Sequence, residues 1–112
     1  MKLKNDHLSQ LIWADSRLLN YTVENDLMKI LMKTWKDEEK ILLLSGVCGI
    51  HDLGIIGLDI SHANILSSHQ MIDKIHSLHG DQEEYRYLEL WAVDLDREPL
   101  FQTVFLDATI IN

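Results

Sequence analysis

Apolar and polar positions change their period along this chain, and each change marks an element. In "LGIIGLDISH" (53–62), Ile56, Leu58 and Ile60 fall on one side and Gly57, Asp59 and Ser61 on the other, the alternation of a half-buried strand. The period then lengthens. In "SSHQMIDKIHSLHG" (67–80), Met71, Ile75 and Leu78 form a stripe at helical spacing, Ser67 or Ser68 is placed to cap it, Gln70 completes a capping-box spacing with Ser67, and Gly80 ends it. Upstream, "RLLNYTV" (17–23), "LMKILMKTW" (27–35) and "KILLLSGV" (40–47) are rich in strand-favouring or apolar residues and are separated by the turn-like "END" and "KDEE". Leu27, Ile30, Leu31 and Trp35 would also line one face of a helix, but the short spacing to neighbouring segments favours a strand. Downstream, "YRYLELWAVDL" (85–95) and "LFQTVFLDATII" (100–111) flank "DREP" and predict a terminal hairpin. A short amphipathic turn or helix opens the chain, with Asn5 or Asp6 as cap and Leu8, Leu11 and Ile12 on one side.

About six strands with one or two helices predict an α+β fold: an antiparallel meander sheet with a helix packed over one face. The 112 residues suit one domain, spanning 1–112, without internal repeats or a linker. The terminal hairpin is apolar on both sides, Phe101 and Phe105 on one and Leu100, Val104 and Leu106 on the other. Such a sheet either curls or is covered by a helix on one face and a partner on the other.

Charge narrows the partners. Ten Lys and Arg against 18 Asp and Glu give a net charge of −8, which repels phosphate backbones and anionic membranes and attracts a basic protein. The local basic group, Lys29, Lys33 and Lys36, alternates with apolar residues, so nucleic acid is not an expected ligand. Glycines 46, 49, 54 and 57 lack both the P-loop lysine and the dinucleotide spacing. The apolar stretch from Ile41 to Leu58 is broken by Ser45, His51, Asp52 and glycines, so a membrane span is not expected. The single cysteine cannot form an internal disulfide, and the opening "MKLKNDHLSQ" lacks the apolar run of a signal peptide; a cytoplasmic location is expected.

Three constellations are candidates for chemistry. Cys48, His51 and Asp52 have the residue types of a nucleophile, base and orienting acid. On an extended strand, however, residues 48 and 51 point to opposite faces about 10 Å apart, which favours a small buried cysteine followed by a polar bend. His69, Asp73 and His76 share a helical face, with His79 a turn farther on, and two imidazoles with a carboxylate can hold zinc or iron. A solvated face opposite the apolar stripe explains the same residues. Acidic groups recur in the turns at 24–26, 37–39, 81–84 and 94–98, without a spacing that builds a hydrolytic carboxylate pair.

The segments "WADSRLLNYTVE", "MKILMKTW", "LLLSGVCGIHDLGIIGLDIS", "YRYLELWAVD" and "LFQTVFLDATI", with Asp15 to Leu18, Gly46-Val47 and Asp59-Ile60 inside them, resemble a group of small bacterial meander-sheet proteins. Acidic proteins of this kind act as immunity proteins in toxin systems, notably contact-dependent growth inhibition. The resemblance implies a cytoplasmic protein that binds a cognate basic toxin domain, such as a DNase or RNase, and blocks its active site. It carries over no catalytic residue and no cofactor, so a binding protein rather than an enzyme is expected. Charge contacts are assigned to Asp37, Glu38, Glu39, Asp94, Asp96 and Glu98, and Trp91 to the toxin-binding surface. Trp13, Trp35, Tyr85 and Tyr87 are further anchor candidates. The alternatives are a metal-binding protein or small metalloenzyme using His69, Asp73 and His76, and a self-associating homodimer formed through an edge strand or the terminal hairpin.

Overall fold

The computed structural model describes residues 4, 7, 8, 11, 13–95 and 97–111. Among them lie β1 (Arg17–Glu24), β2 (Leu27–Lys33), β3 (Glu39–Ser45), β4 (Ile50–Asp52), β5 (Ile60–Leu66), a helix α1 (Gln70–His79), β6 (Arg86–Ala92), β7 (Phe101–Phe105) and β8 (Asp107–Ile111). The strands form two antiparallel sheets, ordered β1-β2-β3-β8 and β4-β7-β6-β5. The α+β class holds, with eight described strands in two sheets in place of about six in one.

The additional strands arise at a corner. The segment expected as one strand over 40–47 bends and resumes as β4, while the segment expected over 100–111 divides at Leu106 into β7 and β8. Because β3 pairs with β8 and β4 with β7, the two runs leave one sheet and enter the other side by side. Backbone hydrogen bonds continue through the bend: Cys48 N to Val104 O at 3.0 Å, Val104 N to Gly49 O at 3.2 Å and Leu106 N to Ser45 O at 2.9 Å. The buried Thr103 hydroxyl adds a bond to the Gly49 carbonyl at 2.7 Å. Gly46 sits at φ +67°, and a Cβ there would lie 2.6 Å from Leu106 Cδ1, so the position needs both left-handed backbone and empty space.

A second junction joins the sheets elsewhere. Asp15 N donates to Ile60 O and Ile60 N to Ser16 O, both at 2.8 Å, and Arg17 forms a bridge with Asp59. Between the sheets lie Leu18, Met28, Ile30, Met32, Leu42 and Leu44 from one and Leu88, Leu90, Phe101 and Phe105 from the other, together with Leu8 and Trp13. The alternation of β2, with Met28, Ile30 and Met32 inside and Leu27, Lys29, Leu31 and Lys33 outside, is that of a strand and excludes the helical reading.

The helix covers the outer side of the second sheet. Ile72, Tyr85, Tyr87 and Val104 form a second buried cluster, with Cys48, Met71, Ile75 and Leu106 packed against it. Of the apolar residues on the two sides of the terminal hairpin, Phe101 and Phe105 face the inter-sheet core and Val104 and Leu106 the helix, while Leu100, expected with the latter pair, packs against the inter-sheet core instead.

Three local expectations are corrected. The alternation in 53–62 does not form a strand; Leu53 to Leu58 are turns, Ile55 is fully buried while Ile56 is 46% exposed, and the strand runs from Ile60 to Leu66. Asp52 explains the difference, because its carboxylate accepts from Gly54 N at 2.8 Å and Ile55 N at 3.1 Å and curls the chain. The helix is capped by His69, whose Nδ1 accepts from Met71 N at 3.1 Å, rather than by Ser67 or Ser68. Its packed stripe is the buried Ile72 with the partly buried Met71 and Ile75, and Leu78, expected in the stripe, is 70% exposed; Gly80 ends it at φ 65° as expected. His7 and Leu8 have helical backbone, while the expected cap at Asn5 or Asp6 lies outside the described residues. No helix among the described residues is long and apolar enough to cross a membrane.

Two glycine substitutions separate conformation from crowding. Gly80→Ala, at φ +65° with no atom within 4 Å of the new Cβ, should cost about 1 kcal/mol from backbone strain. Gly46→Ala meets Leu106 as well and should cost roughly 2 kcal/mol more than Gly80→Ala, measured by urea unfolding.

Candidate functional site

The Cys48, His51 and Asp52 trio is taken apart by the corner. Cys48 packs in the helix-covered cluster beside the Tyr85 hydroxyl, and burial pushes its thiol pKa up, the opposite of what a nucleophile needs. His51 is exposed on β4, opposite Gln102 of β7. Asp52 joins the two sheets: its Oδ2 accepts from the Tyr21 hydroxyl of β1 at 2.6 Å while its Oδ1 holds the following turn. Burial raises the carboxyl pKa, but the bonds from Tyr21, Gly54 and Ile55, with His51 nearby, outweigh it and hold Asp52 below its ordinary range. Tyr21, desolvated and bonded to that carboxylate, is pushed up to about 12.

The helical trio is not assembled as a metal site. The His69 ring caps the helix and stacks on Tyr87 with centroids 3.7 Å apart, and His76 Nε2 lies 2.7 Å from the Glu83 carbonyl. Asp73 is exposed in the first turn. Among the described residues no three His, Cys, Asp or Glu side chains are grouped to hold a metal ion.

Of the acidic turns, those carrying Asp37 and Asp94 come to one end, while the 24–26 turn closes the opposite end of β1 and β2. Strand register places Arg17, Lys33 and Glu39 side by side across β1, β2 and β3. Asp15, Asp37 and Asp59 line one surface cavity of about 280 Å³ with Arg17, Lys33, Thr34 and Trp35. Val93 N donates to the Asp59 carbonyl at 3.0 Å, which draws the turn carrying Asp94 to the same end. Arg17 pairs with Asp59 at 2.7 Å and Lys33 with Asp37 at 3.7 Å. Part of this acidity has a backbone cause: Asp15, Asp37 and Asp94 have φ of 61°, 65° and 65°, a region that Asp and Asn enter more readily than other side chains. Glu38, Glu39 and Glu98 are exposed, and Asp96 lies outside the described residues. Of the aromatic candidates, Trp13, Tyr85 and Tyr87 are core, Trp91 is half-buried and Trp35 is 58% exposed.

The outer face of the second sheet carries a polar constellation that reading the sequence did not isolate. His51, Gln102, Glu89 and Asn64 form one cross-strand row over β4, β7, β6 and β5. Glu89 is its centre. Asn64 Nδ2 donates to Oε2 at 2.9 Å, the Trp91 indole N–H donates to the same oxygen, and the Tyr87 hydroxyl donates to Oε1 at 2.7 Å. Gln102 Nε2 donates in turn to the Tyr87 oxygen at 2.6 Å. His62 stacks on Trp91 with centroids 5.5 Å apart and planes 12° from parallel. Burial raises the Glu89 pKa, but the bonds from Asn64, Trp91 and Tyr87, with His69 nearby, leave it below the usual carboxylate range. Glu89 is therefore a poor general base and a well-held anion. Period-two alternation places 87, 89 and 91 on one face; which strands lie beside them depends on topology, which the local pattern does not contain.

No family model, curated protein or solved structure matches the chain.

The Asp52 linkage predicts a pH signature. A carboxyl depressed in the folded state contributes stability above its unfolded pKa, about 3.9, which is lost as pH falls through the folded value. Asp52→Asn should be less stable than the parent at neutral pH by about 1 kcal/mol, and the difference should narrow below about pH 4 in urea unfolding followed across pH.

Proposed function

We propose that this chain is a protein-binding inhibitor, an immunity protein that docks on a basic toxin domain such as a nuclease and covers its active site. The observation that carries the reading is Trp35, the most exposed aromatic anchor candidate, standing beside Asp37, Glu38 and Glu39 in a chain of net charge −8. Large aromatics on a surface rimmed by charge are the usual energetic centre of a protein interface, and the surrounding carboxylates accelerate association with a cationic partner. Glu39 and the turn carrying Asp94 extend the acidic rim at the same end. The low Glu89 pKa and the raised Cys48 pKa both disfavour proton transfer and nucleophilic attack by those groups, which supports binding over catalysis.

The test uses the product of the gene immediately upstream, which this reading requires to be an effector with a basic C-terminal toxin domain. A 1:1 complex should form by size exclusion and calorimetry, inhibit the domain's nuclease activity, and weaken as salt rises. Trp35→Ala should weaken it by about tenfold or more. Glu38→Gln with Glu39→Gln and Asp37→Asn should slow association by severalfold while leaving the dissociation rate nearly unchanged. The Asn variant also keeps the left-handed turn, so lost binding is not confused with lost structure. A complex insensitive to both salt and Trp35 would overturn this docking end, and the absence of any complex would overturn the function.

A further inference from the structure

We infer that the outer face of the second sheet, centred on Glu89, is a receptor for an arginine side chain of the basic partner, a proposal that rests on the immunity reading above. Donors in the network converge on one carboxylate. A carboxylate offers about four acceptor positions, of which Asn64 and Trp91 occupy two at Oε2 and Tyr87 one at Oε1; among the described residues a second donor to Oε1 is not present. Gln102 lies directly across the strand pair from Glu89 and donates through its amide nitrogen to Tyr87, so its carbonyl oxygen is the group left to accept. Two acceptors on adjacent strands, one of them charged, suit a planar fork of N–H donors.

The aromatic surroundings select the same chemistry. The half-buried Trp91, its indole N–H on Glu89 and its ring stacked with the exposed His62, puts aromatic surface beside the carboxylate, a setting that suits a guanidinium better than a hydrated ammonium. The carboxylate itself is half-buried and pinned from three directions, so little side-chain entropy is lost when it receives a cation. The helix shields only one end of this face, through His69 on Tyr87; His51, His62 and Asn64 are exposed.

The first experiment needs no toxin. Acetyl-arginine amide, at millimolar concentrations, should shift the Trp91 indole N–H resonance saturably, the resonance being assigned by its loss in Trp91→Phe. The lysine analogue should bind more weakly, and the neutral citrulline analogue should leave the resonance in place. Glu89→Gln, compared at equal thermal stability, should weaken the arginine response by about tenfold or more. Gln102→Met, which retains the Tyr87 bond to Glu89, should weaken it severalfold and serves if Glu89→Gln perturbs folding. Equal responses to arginine and citrulline, or arginine binding unchanged in both variants, would overturn the receptor. The second experiment titrates the toxin domain of the adjacent gene. If it binds Glu89→Gln as tightly as the parent, the receptor is overturned while the immunity reading stands; if the arginine analogue binds and the toxin does not, the arginine site stands but its assignment to this partner falls with the immunity reading.

Discussion

The crossing of Gly46 and Leu106 is the contact on which the architecture depends. Two paired runs of chain bend together there, and the bend exists because Gly46 adopts a left-handed conformation and leaves space for the Leu106 side chain. A straight continuation would leave one long sheet with its apolar inner positions facing water. With the bend, Met28, Ile30 and Leu42 of one sheet meet Leu88, Leu90 and Phe101 of the other. Each such side chain removed from water contributes about 1.5–3 kcal/mol, far more than the local strain of a glycine turn. Burial across the corner therefore decides the topology.

The same bend creates the outer face. Once the inner positions of β6 and β7 are committed to the inter-sheet core, their alternate positions must either be covered or remain wet. The helix covers Tyr85, Tyr87 and Val104 and stops short of Glu89. At Glu89 two effects compete, desolvation raising the pKa and three hydrogen bonds lowering it, and the hydrogen bonds win. Asp52 resolves the same competition in the same direction with two backbone donors and Tyr21. No buried side-chain nitrogen or oxygen among the described residues lacks a partner, so these polar groups add rigidity to the face without leaving an orphan beneath it.

Acidity has two separable sources. Asp15, Asp37 and Asp94 occupy left-handed turn positions, where a short polar side chain is tolerated, so a backbone cause accounts for their residue type alongside any contact their charges make. Glu38, Glu39, Glu98 and Glu89 have no such backbone role, and they carry the electrostatic argument for a basic partner.

The sequence by itself determined the class, the antiparallel pairs β1-β2 and β2-β3, the helix and its glycine stop, and an acidic surface, because propensity, periodicity and turn chemistry act over a few residues. It misled where local patterns were weak: the alternation of Ile56, Leu58 and Ile60 lost to the Asp52 turn, and Ser67 lost the cap to His69, which is held by Tyr87 from a strand distant in sequence. The division of 100–111 into β7 and β8 was not legible, since nothing in those residues alone reveals that Gly46 lies against Leu106. The row His51, Gln102, Glu89 and Asn64 draws one residue from each of four strands and was invisible for the same reason. Local forces choose which segments are strands; only burial between distant segments chooses which strands become neighbours, and the candidate arginine receptor exists only after that choice.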